Sequence, residues 1–510
     1  MKQVVLKIDV ERTKSTIAPE IYGQFSEHLG RCIYEGIYVG EDSKIPNVRG
    51  MRKDVVEALR EIRMPVLRWP GGCFADEYHW KDGIGAKEER KRIVNTNWGG
   101  VVENNHFGTH EFMDLCAQIG CEPYIALNMG SGTVQEAADW IEYMTYDGDS
   151  ELAKQRKRNG QEKPWKLKYI GVGNESWGCG GSMEPEYYAD CYRHYRTFCR
   201  NLSGNELFPV ACGPNGEDYH WTDVIMPRLK NHTSAISLHY YTLPTGDWEH
   251  KGSATEFDEK EYYQTIRQTL RMEEIIERHV KIMDYHDPEQ KVGLIVDEWG
   301  TWYDVEPGTN PGFLYQQNTM RDAVVAAINL NIFNKHSDRI IMANIAQVVN
   351  VLQAMILTEG MALVKTPTYS VFDMYQSHQG ATLVDSVLLQ RGDSPEWAGI
   401  DMDGVIVPSL SESVSIITGE DGSSQITITL SNASLTESYE IQICLPLGQS
   451  FCGSARITTL SGAMNAHNTF EVPDTLCPEV RQENWDGSCV TLTIPSCAVV
   501  SVICPVTCEG

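Results

Sequence analysis

The chain has 510 residues, 42% hydrophobic and 22% charged, a globular composition too long for one ordinary core, so two domains are expected. Its formal charge of −27 argues against nucleic acid and anionic membrane as partners, whereas a neutral, hydroxyl-rich ligand such as a sugar is indifferent to it. "MKQVVLKIDVERTK" places Asp9 and Glu11 where a signal peptide needs an unbroken apolar core, and no run approaches the roughly eighteen apolar residues of a membrane span, so a cytoplasmic protein is expected.

In residues 1–17, "VVLKIDVE" alternates Leu6, Ile8 and Val10 with Lys7, Asp9 and Glu11, the pattern of a half-buried strand. Eight apolar or β-branched runs follow between about residues 20 and 350: "EIYGQFSEHLG", "MPVLRWPGGCF", "CEPYIALNMGSG", "LKYIGVGNES", "LFPVACGPNG", "AISLHYYT", "VGLIVDEWG" and "IIMANIAQVVN". Helical spacing separates most of them. Val55, Val56, Leu59 and Ile62 fall at i, i+1, i+4 and i+7, as do Phe112, Leu115, Cys116 and Ile119 at closely similar intervals. Segments 134–146, 185–200, 221–230, 262–283 and 318–333 fill the later gaps. Eight strands alternating with helices across 18–380 predict an α/β fold, a (β/α)8 TIM barrel. A doubly wound sheet is the competing architecture, because both bury parallel strands on two faces. From 381 to 510 the helical spacing vanishes. "SSQITITLSNAS", "ESYEIQICLPL" and "SCVTLTIPSCAVVSVICPV" alternate between turns, which predicts a jelly-roll-like antiparallel β-sandwich that the 1–17 strand joins. Fifteen cysteines are present, seven of them between Cys444 and Cys508. In a cytoplasm they are expected as reduced thiols, and no Cys-x-x-Cys or paired-His spacing points to a metal.

In a barrel the C-terminal strand ends converge on one face, where active sites are built. Here those ends carry Glu27 and His28, Arg68, Asn128, Asn174-Glu175, His239 and Tyr241, Asp297-Glu298, and Gln347. Trp98, Trp177, Trp248, Trp299 and Trp302 lie in or beside the adjoining loops. Carboxylates and amides for hydroxyls, with aromatic faces for sugar C–H faces, describe a carbohydrate site. A phosphate site is excluded: "GVGNESWG" has Ser176 where G-x-G-x-x-G needs its third glycine, and no Lys-Ser/Thr follows. Taken singly, each residue has an ordinary role. A strand-end glutamate is usually solvated, His239 fits a core histidine, Asp297 a turn cap, and Arg68 a structural ion pair. The joint pattern outweighs these, with carboxylates ending runs four and seven and each followed by Trp within two residues.

Glycoside hydrolysis needs a protonated acid for the leaving oxygen and an ionised partner across the sugar ring. Glu175 is the candidate acid/base and Glu298 the nucleophile, held by donors such as Arg68 and Tyr241, with Asn174 on the sugar 2-hydroxyl. A carboxylate separation of about 5–5.5 Å would mean retention of configuration, and a wider gap inversion. A β-glucanase or β-xylosidase on the same scaffold, and a non-catalytic sugar-binding barrel, stand as alternatives.

With these residues in place, the chain resembles glycoside hydrolase family 51, the retaining α-L-arabinofuranosidases with clan A type barrels. The resemblance rests on "IYGQFSEHLGRCIYEGIY", "LRWPGGCFADEYHWKDGIG", "NNHFGTHEFMDLC", "YIGVGNESWGCGG", "SLHYYT", "VDEWGTWYD" and "ANIAQVVNVLQAMI", in order from residue 21 to about 356. It implies Glu175 as acid/base and Glu298 as nucleophile. Glu27, Asn174, Tyr241 and Gln347 would line a furanose pocket, with Arg68 and His239 supporting the carboxylates and Trp98 and Trp302 shaping the entrance. Where many members carry Asn after "PGG", this chain has Cys73, and a thiol cannot make both amide hydrogen bonds. The resemblance further implies short arabino-oligosaccharide substrates, no metal or organic cofactor, and a homo-oligomer, commonly a hexamer.

Overall fold

The computed structural model describes residues 2–390, 399–402 and 405–508; the rest of the segment 381–510 lies outside the described residues. Eight parallel strands close into a barrel in chain order: Gly23–Phe25, Val66–Trp69, Glu122–Leu127, Tyr169–Val172, Phe208–Ala211, Ala235–Thr242, Gly293–Thr301 and Ile340–Ala346. They are barrel strands one to eight. Strand eight pairs with strand one, Asn344 beside Gly23, and that closure decides between the two architectures the sequence pattern left open. Helices Lys53–Glu61, Thr109–Ile119, Val134–Thr145, Pro185–Phe198, Tyr219–Leu229, Glu259–His286 and Met320–Lys335 occupy the gaps with helical spacing. Glu151–Arg158 and Pro367–Tyr375 add two helices that no periodicity announced. The first buries only Ala153 and Arg156, and the second is buried almost all round, so neither shows an apolar stripe.

Strand alternation builds the barrel interior from these sequences. Val66, Tyr124, Tyr169, Val210, Ala235, Ile295 and Met342, one from each of strands two to eight, form a buried apolar floor. Strand one supplies Gly23 to that end, where a Cβ would meet the Val66 side chain at 2.6 Å. Two residues beyond the floor the inward positions turn polar, at Arg68 after Val66 and Asp297 after Ile295. The outward positions join the helix layer; Trp69, for example, stacks on Phe112 with ring centroids 4.8 Å apart. Among the described residues, no helix is long and apolar enough to cross a membrane.

The second sheet has nine strands and is mostly antiparallel. Lys2–Thr16 sits within it, antiparallel to Thr382–Gln390 and parallel to Tyr439–Cys444. Its alternation sends Val4, Leu6, Ile8 and Val10 into the core shared with Ile428, Ile441 and Val502. Helix Met320–Lys335 lies between barrel and sheet and is buried on nearly every face. Asn331 Nδ2 donates to Ser411 Oγ (3.2 Å), Asn334 Nδ2 to Ser413 Oγ (3.0 Å), and Thr429 Oγ1 to Asn331 Oδ1 (2.9 Å), so the junction is satisfied by hydroxyls and amides.

The expectation of reduced thiols holds for ten of the described cysteines and needs correction for four. Cys444 and Cys489, facing residues of an antiparallel pair, are disulfide-bonded, and so are Cys73 and Cys179 in the loops after strands two and four. Apposition in the fold decides which thiols pair, and spacing along the chain does not reveal it.

Leu6 is fully buried while Lys7 faces solvent. Leu6→Ala should therefore lower stability to denaturant by about 2–5 kcal/mol, and Lys7→Ala by less than about 0.5 kcal/mol. Equal losses in the two variants would contradict the inward face assigned to this strand.

Candidate active site

Glycines let the chain pass close to charged side chains here. After strand two the backbone runs so near the carboxylates that a Cβ on Gly72 would meet Glu298 Oε1 at 2.8 Å, and one on Gly71 would meet Glu27 Cγ at 2.6 Å. After strand four, Gly173 (φ 88°) turns the chain and Glu175 itself takes φ 40°, a left-handed conformation that costs a non-glycine residue about 1–3 kcal/mol. The turn is closed by Gly178 and Gly180 N–H groups donating to the Glu175 carbonyl (2.7 and 3.1 Å). The glycine-rich stretch thus positions a glutamate rather than cradling a phosphate.

On strand seven, pairing with strand six slips by one residue: Ser237 is opposite Ile295 and His239 opposite Glu298. This irregularity inserts a residue and lets two consecutive carboxylates, Asp297 and Glu298, both reach the interior groups. Arg68 Nη1 donates to Glu298 Oε1 (2.8 Å), Arg68 Nη2 to Asn174 Oδ1 (2.6 Å), and Arg68 Nε lies 3.6 Å from Asp297 Oδ2. Tyr124 Oη donates to Asp297 Oδ2 (2.9 Å) and Tyr241 Oη to Glu298 Oε2 (2.8 Å). His239 bridges the set, with Nδ1 2.9 Å from Glu175 Oε1 and 3.6 Å from Glu298 Oε2, and Nε2 3.0 Å from Asp297 Oδ1. Carboxylate oxygens of Glu175 and Glu298 lie within 4.8 Å of each other.

Burial and charge set the protonation of this cluster. Burial opposes a charge on His239, but Glu298 and Asp297 outweigh it and raise its pKa to about 10, so both ring nitrogens carry protons at neutral pH. Burial and the Glu298 charge raise Glu175 above the usual carboxylate range, against the lowering effect of His239. Burial, then Glu298, raises Glu27 to about 7, although Glu27 Oε1 accepts from the N–H groups of Gly72 and Phe74 and from Trp98 Nε1 (3.1, 3.0 and 2.9 Å). For Asp297 the burial penalty is overcome by Arg68 and His239, which hold it below its ordinary value.

These groups open into a pocket of about 290 Å³ lined by Glu27, Gly72, Cys73, Glu175, Tyr241, Glu298 and Gln347, with Trp98, Trp177, Trp248 and Trp302 among its walls. Gln347 Nε2 donates to Glu27 Oε2 (3.1 Å), while its buried Oε1 has no protein partner among the described residues. Trp302 packs edge-on against Tyr241 and Trp248, with centroids 4.9 and 5.1 Å away. Asn95 fixes Trp98 by accepting from its backbone N–H (3.0 Å). Arg68 and His239 lie behind the wall. Asn174 is buried beside it, with Nδ2 directed at Cys179 Sγ (4.0 Å).

Three strand-end residues fall outside. Trp299 points the opposite way from the pocket and stacks on Phe372 in the helix layer, as its place next to Glu298 on a strand requires. Asn128 is tied to the Tyr78 carbonyl (3.1 Å), and His28 Nδ1 to Glu103 (2.8 Å). Conversely, Leu29, Asn215, Leu314 and Leu352 line the pocket without having been singled out. Asn215 stands in the "PNG" turn after strand five, a strand end whose chemistry went unread. Asp76 was also missed; it accepts from Met129 and Gly130 N–H groups (3.0 Å each) and pins the end of strand three.

Residues 58–264 match the α-L-arabinofuranosidase 1 domain family, and residues 297–497 the α-L-arabinofuranosidase C-terminal domain family. The chain is 52% identical over 477 residues to an intracellular exo-α-L-arabinofuranosidase of Bacteroides ovatus, covering 94% of this chain and 90% of that protein. Among solved structures, the GH51 arabinofuranosidase of Xanthomonas axonopodis pv. citri superposes with a TM-score of 0.93 at 43% identity, over 98% of this chain and all of that one. The Thermotoga maritima α-L-arabinofuranosidase arabinose complex superposes with a TM-score of 0.83 at 30% identity, over 99% of this chain and all of that one.

Arg68→Met removes the guanidinium that faces Asp297 and Glu298, and should cost about 3–5 kcal/mol of stability at neutral pH. Left without that cation, the buried carboxylates would have folded-state pKa values above their unfolded ones, so the deficit should shrink as pH falls and protonates them. Denaturation midpoints at two pH values check this; a deficit that is constant with pH would contradict it.

Proposed function

Because the chain belongs to glycoside hydrolase family 51, the α-L-arabinofuranosidases, we propose that it releases terminal non-reducing α-L-arabinofuranosyl residues from arabino-oligosaccharides of arabinan or arabinoxylan origin, with retention of configuration. The observation that carries this reading is the placement of Glu175 and Glu298 within 4.8 Å across one small pocket, the spacing class of about 5–5.5 Å used in double displacement.

Glu298 attacks the anomeric carbon while Arg68 and Tyr241 hold its two oxygens, so the carboxylate meets the sugar in one orientation. Glu175, whose raised pKa retains a proton, passes it to the departing glycosidic oxygen. The β-linked glycosyl-enzyme is then opened by a water that Glu175 deprotonates, and two inversions restore the α configuration. Glu27 and Gln347, whose Oε1 is buried and unpartnered, support hydroxyl recognition, and Asn174 offers Nδ2 as the donor for the 2-hydroxyl because Oδ1 is taken by Arg68. Cys73 contributes wall rather than a hydrogen-bond donor, since its sulfur is bonded to Cys179. Trp98, Trp248 and Trp302 at the mouth and a volume of about 290 Å³ suit one terminal ring, which favours exo action. A cytoplasmic location is proposed from the relative named intracellular, and a homo-oligomer, hexameric by family resemblance, from the family alone.

Glu298→Ala should abolish turnover of every substrate, because no covalent intermediate forms. Glu175→Ala should lose far more on arabino-oligosaccharides than on aryl arabinofuranosides with good leaving groups, which need little protonation. With azide, the Glu175 variant should give an α-configured and the Glu298 variant a β-configured arabinofuranosyl azide by NMR; the reverse pairing would exclude these roles.

The rate should fall as pH rises through the raised pKa of Glu175, where the acid loses its proton. His239→Gln removes a cation and a donor that both lower this pKa, so the alkaline limb of kcat/KM should move to higher pH. A limb that moves down, or not at all, would show that His239 does not tune the acid.

A further inference from the structure

We propose that Cys73 and Cys179, once reduced, form with Glu175 a binding site for a soft divalent cation such as zinc, which the disulfide keeps closed. The two sulfurs approach the same carboxylate oxygen: Cys73 Sγ is 3.9 Å and Cys179 Sγ 3.5 Å from Glu175 Oε2. One donor atom from each of the three residues lies within 4.8 Å of the other two. The other oxygen, Oε1, is occupied by His239 Nδ1 at 2.9 Å, which leaves Oε2 facing the sulfurs. Two thiolates, one carboxylate oxygen and an open fourth position for water make a donor set suited to zinc and other thiophilic ions. Glu298 adds negative charge along the same pocket, which favours entry of a cation.

Access and chemistry both permit the change of state. Cys179 is exposed, on the glycine-rich turn Gly178–Gly181, so a small reductant reaches the bond from the pocket mouth. A dithiol reductant gives two electrons and two protons; the Cys73–Cys179 bond breaks, two thiols form, and the reductant leaves as its own disulfide. Binding of the cation then displaces the two thiol protons to water. The pairing of Cys444 with Cys489 has no such third ligand among the described residues. The consequence for activity rests on Glu175 being the acid/base: with Oε2 on the metal it can neither deliver nor accept the catalytic proton.

The test uses the full-length enzyme, air-oxidised or reduced with a phosphine and freed of it under nitrogen. It is titrated with cobalt(II) as a spectroscopic stand-in and then with zinc. Reduced enzyme should bind one cobalt per chain with a thiolate-to-cobalt charge-transfer band, which zinc removes. Zinc should lower arabinofuranosidase turnover by about tenfold or more, and a chelator should restore it. Oxidised enzyme and reduced Cys179→Ala should show no band, whereas reduced Cys444→Ser should match the parent. An equal band in the oxidised enzyme or in Cys179→Ala, or none in the reduced parent, would overturn the proposal. A normal band with undiminished turnover would uphold the metal site and instead overturn the role given to Glu175.

Discussion

One buried guanidinium makes this active face possible. Four carboxylates converge at the top of the barrel, Glu27, Asp297 and Glu298 buried and Glu175 partly exposed, and like charges gathered so closely cannot all persist unaided. Arg68 contacts two of them directly and anchors the amide of Asn174, so strands two, four and seven are tied through a single side chain. It reaches them because alternation from Val66 turns it inward, and it lies over the Phe25 ring at 4.5 Å. Burial alone would disfavour its charge, yet Asp297 and Glu298 hold its pKa well above the ordinary value.

His239 is the second cation, and its placement gives Glu175 and Glu298 different partners. It donates to Glu175 and to Asp297, while Glu298 receives Arg68 and Tyr241 instead. Chemically identical side chains thus sit in different surroundings, and for Glu175 burial and the Glu298 charge raise the pKa against the lowering effect of His239. Asp297 touches no part of the pocket wall, yet it fixes the orientation of both cations.

The nine-stranded sheet serves the same face at a distance. By burying helix Met320–Lys335 on its outer side, it fixes the element that precedes strand eight, and that strand leads into Gln347. The first strand of the chain belongs to that sheet, so the two ends of the sequence meet before the barrel begins.

Much of this was legible in the residues. Eight strand-like runs, Arg68 at the end of the second, and the pair Glu175 and Glu298 follow from local pattern, because period and composition are properties of a short stretch. The sequence by itself therefore determined an α/β region followed by an all-β one, the strand ends that gather polar side chains, and the residue types of the cleft. Tertiary structure alone decided barrel closure, the turning away of Trp299, the slip that aims Asp297 and Glu298 together, the arrival of Asn215, and the union of Cys73 with Cys179. Each depends on the distance between segments far apart in the chain, a quantity set by packing and register across the whole barrel, which no local period encodes.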